Sequence, residues 1–159
     1  SGFITRELLN SYCVAWLTVA LRKNLIKKKL FNEELDMVSD FDFVINASFK
    51  KKIFCIQEPL AISRKHSDQL QRRKFYLQAE HYLKWYKITK LKIKLKKLKN
   101  LNNFLDRINF FEKILIFKKE NKYFKNIFEV FLNGKIKLAF KLLVFVSFPN
   151  FFIKFIASV

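Results

Sequence analysis

Apolar positions change their spacing several times along the chain, and each change predicts a different element. Ile4, Leu8 and Leu9 fall at helical spacing and predict a short helix over residues 3–10. Val14 to Leu21 is rich in Val, Leu, Trp and Thr, which predicts a buried strand. A short basic helix is expected from Asn24 to Lys29, then a polar loop, Phe31 to Leu35, pinned at both ends by apolar side chains. Phe41, Val44, Ile45 and Phe49 return to helical spacing, so residues 40–49 read as a helix with Ser39 as its N-cap. Lys52 to Gln57 reads as a strand that Pro59 interrupts, with Leu60 to Ser63 continuing as an edge or paired strand.

From Asp68 onward the side chains become longer and more polar. Ile88, Leu91, Leu95 and Leu98 are spaced by three, four and three residues, and no breaker interrupts them, which favours helix. The alternation from Leu91 to Leu95 also admits a strand. Further amphipathic helices are expected beyond, punctuated by Asn100, Asn102, Gly134 and Pro149. No convincing internal repeat is visible. The pattern therefore divides the chain into an α/β part, residues 1–70, and a helical tail, residues 71–159.

Charge sharpens that division. The formal charge is +19, but residues 1–70 hold 11 Lys and Arg against 8 Asp and Glu, while residues 71–159 hold 21 against 5. The basic excess belongs to the tail, whose natural counterparts are an anionic membrane surface or nucleic acid. No nucleic-acid module is visible, so nucleic acid is the weaker of the two. Only Gly2 and Gly134 are glycines, which excludes both the dinucleotide-binding G-x-G-x-x-G loop and the G-x-x-x-x-G-K-[ST] phosphate loop. Cys13 and Cys55 show no C-x-x-C spacing and fit reduced, buried thiols. The opening residues carry Arg6 and Glu7 and lack the apolar core of a signal peptide.

Four features then follow in order: Val19 to Lys23, apolar and ending in the basic pair Arg22-Lys23; Phe31-Asn32-Glu33-Glu34-Leu35; Ser39-Asp40-Phe41-Asp42-Phe43; and Glu58-Pro59-Leu60-Ala61-Ile62-Ser63-Arg64-Lys65-His66. As an ordered set, with Phe3 to Leu9 ahead of it, the series resembles the C-terminal half of the catalytic domain of family 2-type bacterial glycosyltransferases. The likeness covers roughly residues 2–80. It implies the C-terminal portion of a GT-A, Rossmann-like domain followed by the helical tail. It also implies that the nucleotide-binding strands and the Asp-x-Asp metal motif lie upstream, so that this chain is N-terminally incomplete and inactive alone.

By that resemblance Asp40 is the general base and Asp42 orients the loop. His66 helps to hold a divalent metal, Mn or Mg, on the donor diphosphate, with Arg64 beside the phosphates. The chemistry agrees: a sugar hydroxyl is a poor nucleophile until a positioned carboxylate accepts its proton, and a diphosphate leaving group needs charge neutralisation. Ser39 and Ser63 depart from the residues usual in that family without removing a reacting group. Gln69-Leu70-Gln71-Arg72-Arg73 approaches the Gln-x-x-Arg-Trp of processive synthases, but Arg73 stands where the stacking Trp belongs.

The function so implied is transfer of a sugar, with inversion, from a nucleotide-sugar to a glycan or lipid-linked acceptor in cell-surface polysaccharide synthesis. The expected location is cytoplasmic, peripheral on the inner face of the membrane. Residues 142–153 are the most apolar stretch, too short to span a bilayer and broken by Pro149, with lysines on both sides. The contrasting reading is a non-catalytic basic helical module that docks on a membrane or a partner protein.

Overall fold

The structure is a computed structural model in which residues 1–26, 31–64, 74–89, 95, 98–120 and 123–148 are described. Six α-helices occur among them: α1, Thr5–Asn10; α2, Ser39–Ser48; α3, Phe75–Ile88; α4, Asn102–Glu120; α5, Tyr123–Leu132; and α6, Ile136–Ser147. Short 3-10 turns, Trp16–Thr18, Lys23–Leu25 and Glu33–Val38, link α1 to α2. The chain packs as two compact units. One takes in residues 1–65 and 84–105, the other residues 66–83 and 106–159.

The expected α/β, Rossmann-like architecture is not formed. Among the described residues there is no strand and no sheet. A β-run is stable only when its backbone groups meet a neighbouring edge, and the pairing found is one antiparallel bridge between Gly2 and Ile53. Val14 to Leu21, expected as a buried strand, instead winds into the 3-10 turn at Trp16–Thr18 and buries no residue. The Thr18 hydroxyl donates to the Ala15 carbonyl at 2.8 Å, a local bond that competes with extended backbone. In the apolar alternation after Lys52 the pairing among the described residues stops at that Ile53 bridge, and Phe54, Ile56, Leu60 and Ile62 stand exposed.

In the first unit the core is built on α1 and α2, which pack together. Phe41, Val44, Ile45 and Ser48 recur at helical spacing on α2 and are all buried. Leu8 and Leu9 of α1, Leu35 and Val38 of the preceding turn, and Trp85, Leu101 and Phe104 complete that core. Rings meet edge to face along it: Tyr12 on Phe41, Phe41 on Trp85, and Trp85 on Phe104, with centroids 5.0, 4.9 and 6.1 Å apart. Asn10 ties the unit together. Its Nδ2 donates to the Asn100 carbonyl at 2.8 Å and its Oδ1 accepts the Phe104 N–H at 3.3 Å. Asn10 thus caps the first turn of α4 from ninety-odd residues away, next to Asn100, whose φ of 60° turns the chain into that helix.

The second unit is dominated by phenylalanine. Phe110, Phe111, Ile114 and Phe117 of α4 are buried, with Phe75, Ala79 and Tyr82 of α3 and Phe145 of α6. Tyr82 stacks on Phe111 at 5.4 Å, and Phe75 and Phe110 both reach Phe145. Helices α5 and α6 pack on one another. Between them Gly134 takes φ +72°, its N–H donates to Phe131 O at 3.0 Å and the Lys135 N–H donates to Val130 O at 3.3 Å. That pair of bonds is a Schellman stop, which needs a left-handed residue and here uses glycine.

Candidate functional site

The candidate carboxylates sit where the Glu33–Val38 turn runs into α2. Asn32 starts that turn by accepting the Glu34 N–H on its side chain at 3.1 Å. Ser39 was expected as the N-cap, but it is the first residue of α2 and its hydroxyl donates back to Asp36 O at 3.2 Å. Val38, at φ −140°, is the residue that breaks from the turn and aims the helix. Asp40 and Asp42 therefore both lie in the first turn of α2, where exposed amide N–H groups and the helix dipole favour negative charge.

Both are half-buried, but their partners differ. Asp42 is held on two sides: Trp85 Nε1 donates to its Oδ1 at 2.7 Å, and Asn46 Nδ2 donates to the same oxygen at 2.8 Å. Burial pushes its carboxyl above the ordinary aspartate range, while the bonds from Trp85 and Asn46 pull the other way. Asp40 accepts the adjacent Phe41 N–H through Oδ1 at 2.7 Å, and among the described residues no donor meets its other oxygen. One carboxylate is engaged in packing; the other, among the described residues, accepts only from its neighbour's N–H.

A ring cluster stands beside them. Phe43 lies three residues after Asp40, on the same side of α2. It meets Trp16 at 5.8 Å, and Trp16 meets Phe31 at 5.1 Å, both edge to face. All three rings are half-buried. Sequence reasoning assigned Trp16 to a buried strand and gave it no part in the site; the turn at Trp16–Thr18 is what brings it here. A cleft of about 370 Å³ also exists in this unit, but it is lined by Phe3, Thr5, Ser48, Phe49 and Lys99, at the far end of α2. With a rise of about 1.5 Å per residue, its Ser48 wall is about 12 Å along the helix from Asp40. It contributes nothing to the carboxylates.

Arg64 is exposed, in the segment without regular secondary structure that follows Pro59. His66 lies outside the described residues. Cys13 and Cys55, expected to be buried, are both exposed. Among the described residues no three His, Cys, Asp or Glu side chains are grouped to hold a metal ion, and Asp42 is already bonded to Trp85. What the geometry offers is a carboxylate able to accept a proton, a second carboxylate that fixes the helix, and aromatic surface alongside. In comparisons with protein-family models, with curated proteins and with solved structures, the chain matches none of them.

Proposed function

We propose that this chain carries the acceptor-activating part of a glycosyltransferase, in which Asp40 takes the proton from an acceptor hydroxyl as a nucleotide-sugar donor is attacked. The reading rests on the ordered motif series from Phe3 to His66 and on one structural observation that supports it. Of the two carboxylates in the first turn of α2, Asp42 is fixed by Trp85 and Asn46, while Asp40 meets only the adjacent Phe41 N–H among the described residues. A general base must reach its proton directly, whereas a positioning carboxylate must be held. The half-buried rings of Trp16, Phe31 and Phe43 suit the C–H face of a pyranose acceptor, whose weakly positive hydrogens favour an aromatic face.

The test is transfer of labelled sugar from UDP-, GDP- and dTDP-sugars, assayed with this chain and with any longer product of the same gene, each with native Asp40 and as Asp40→Asn. A positioned base contributes about 10²–10⁴-fold, so Asp40→Asn is expected to lower kcat by that order while circular dichroism is unchanged. Trp16→Ala is expected to raise KM for the acceptor more than it lowers kcat. Near-normal turnover by folded Asp40→Asn would remove Asp40 as the base. Absence of transfer by the native proteins with every donor would remove the reading itself.

A further inference from the structure

Helices α5 and α6 each carry two apolar stripes, and among the described residues only one of each is buried. Ile127 and Val130 on α5, and Ala139, Leu142 and Phe145 on α6, are buried. The second stripe of α5 is Phe124, Phe128, Phe131 and Leu132, spaced at i, i+4, i+7 and i+8, and these side chains are 72, 60, 51 and 67% exposed. On α6 the second stripe is Ile136, Phe140 and Leu143, at i, i+4 and i+7, and 63, 66 and 40% exposed. Single exposed apolar residues are ordinary, but seven large ones in two helical rows are apolar surface of the kind that marks an interaction site.

Charge identifies the occupant. Lys125, Lys135, Lys137 and Lys141 are exposed on or between these helices, and Lys137 and Lys141 form their own row beside Ile136 and Phe140. Helix α6 contains no acidic residue, and the acid of α5 is Glu129. An apolar stripe bordered by lysines matches an anionic bilayer, which offers acyl chains to the rings and phosphates to the ammonium groups at one depth. Among the described residues no helix is long and apolar enough to cross a membrane. We infer that the exposed faces of α5 and α6 form an interfacial docking surface for anionic phospholipid. The rings enter the headgroup–acyl boundary and the lysines lie against the phosphates. This surface stands independently of the sugar-transfer reading.

The experiment is co-sedimentation of the full chain with phosphatidylcholine vesicles, with and without phosphatidylglycerol, at low salt and at 1 M salt. Two variants accompany it, Phe128→Ser with Phe140→Ser, and Lys137→Gln with Lys141→Gln. The chain is expected to bind vesicles containing phosphatidylglycerol and to be released at 1 M salt, where the Debye length is about 3 Å. A lysine near an anionic surface is worth about five-fold in partitioning, so the lysine pair is expected to lower binding about 25-fold. The phenylalanine pair is expected to lower it ten-fold or more without loss of helicity, because both rings are exposed. Should that pair lose helicity, the lysine variant keeps the test decisive. Equal binding to both vesicle types, no binding to either, or no effect of the lysine variant would overturn the proposal. It is likewise overturned if the native chain self-associates in sedimentation velocity, the phenylalanine variant abolishes that, and vesicles are ignored; the stripes then face protein.

Discussion

Trp85 is fully buried, and an indole N–H in that position needs an acceptor. Asp42 is that acceptor, and this separates the two aspartates that stand two residues apart. Asp42→Asn keeps a carbonyl oxygen for Trp85 and removes a partly buried charge, so stability at neutral pH is expected to change by less than about 1 kcal/mol. Asp42→Ala leaves the indole N–H without that acceptor and is expected to cost about 1–3 kcal/mol. The pH dependence has a definite sign. The folded carboxyl binds its proton at higher pH than the unfolded one, so this group adds stability as pH falls through its raised folded pKa. That acid-side gain is expected to be absent from Asp42→Asn. Urea unfolding of the three proteins between neutral and mildly acidic pH checks both points, and an Asn variant that shares the native pH slope would show that Asp42 is not its source. The placing of Asp40 and Asp42 together at the start of a helix was legible in the sequence. Trp85 was not, because nothing in a helix forty-three residues away announces which indole will point at α2.

Elements followed the sequence where their stability is local and departed from it where it is not. The helical spacing of Phe41, Val44 and Ile45 sufficed to place α2, and its bounds, Ser39–Ser48, differ from the expected 40–49 by one residue at each end. Asn100 and Gly134, read as punctuation, are the described non-glycine and one of the two glycines with positive φ. Strands depend on a partner edge, and Val14 to Leu21 lacks one among the described residues, so its β-branched side chains could not decide its conformation. The cap of α4 is the reverse case: its hydrogen bonds come from Asn10, far away in sequence. Asn10→Ala is expected to destabilise the fold by about 0.5–2 kcal/mol, the ordinary cost of losing a cap. Asn10→Asp keeps the acceptor for Phe104 N–H but not the donor to Asn100 O, and is expected to fall between the two. Urea denaturation monitored by circular dichroism measures the series, and an Ala variant as stable as the native chain would mean that the bond to Phe104 contributes nothing.

At the scale of the whole molecule the dominant fact is charge. Carrying 32 basic against 13 acidic residues, the protein repels itself, and most of the excess lies after residue 70. Moderate salt is therefore expected to stabilise it: raising sodium chloride from about 0.01 M to 0.15 M shortens the Debye length from about 30 Å to 8 Å. A gain of about 1 kcal/mol corresponds to an increase in Tm of about 2–4 °C for a chain of this size. A Tm that falls with salt would mean that attractive pairs such as Lys84–Glu34, 3.1 Å apart, outweigh the repulsion. The amino-acid sequence alone determined this charge asymmetry, the amphipathic helices, the turn at Gly134 and the placing of Asp40 and Asp42 at a helix start. All of these arise from composition or from neighbours within a turn or two. Tertiary structure alone decided which apolar stripes would be buried and which left to solvent. It also decided that Trp85 would be the residue that ties Asp42 down, that Asn10 would cap α4, and that the β-prone runs would form no strand among the described residues. Each of those outcomes depends on a partner distant in sequence, and spacing along one segment carries no record of what it will meet.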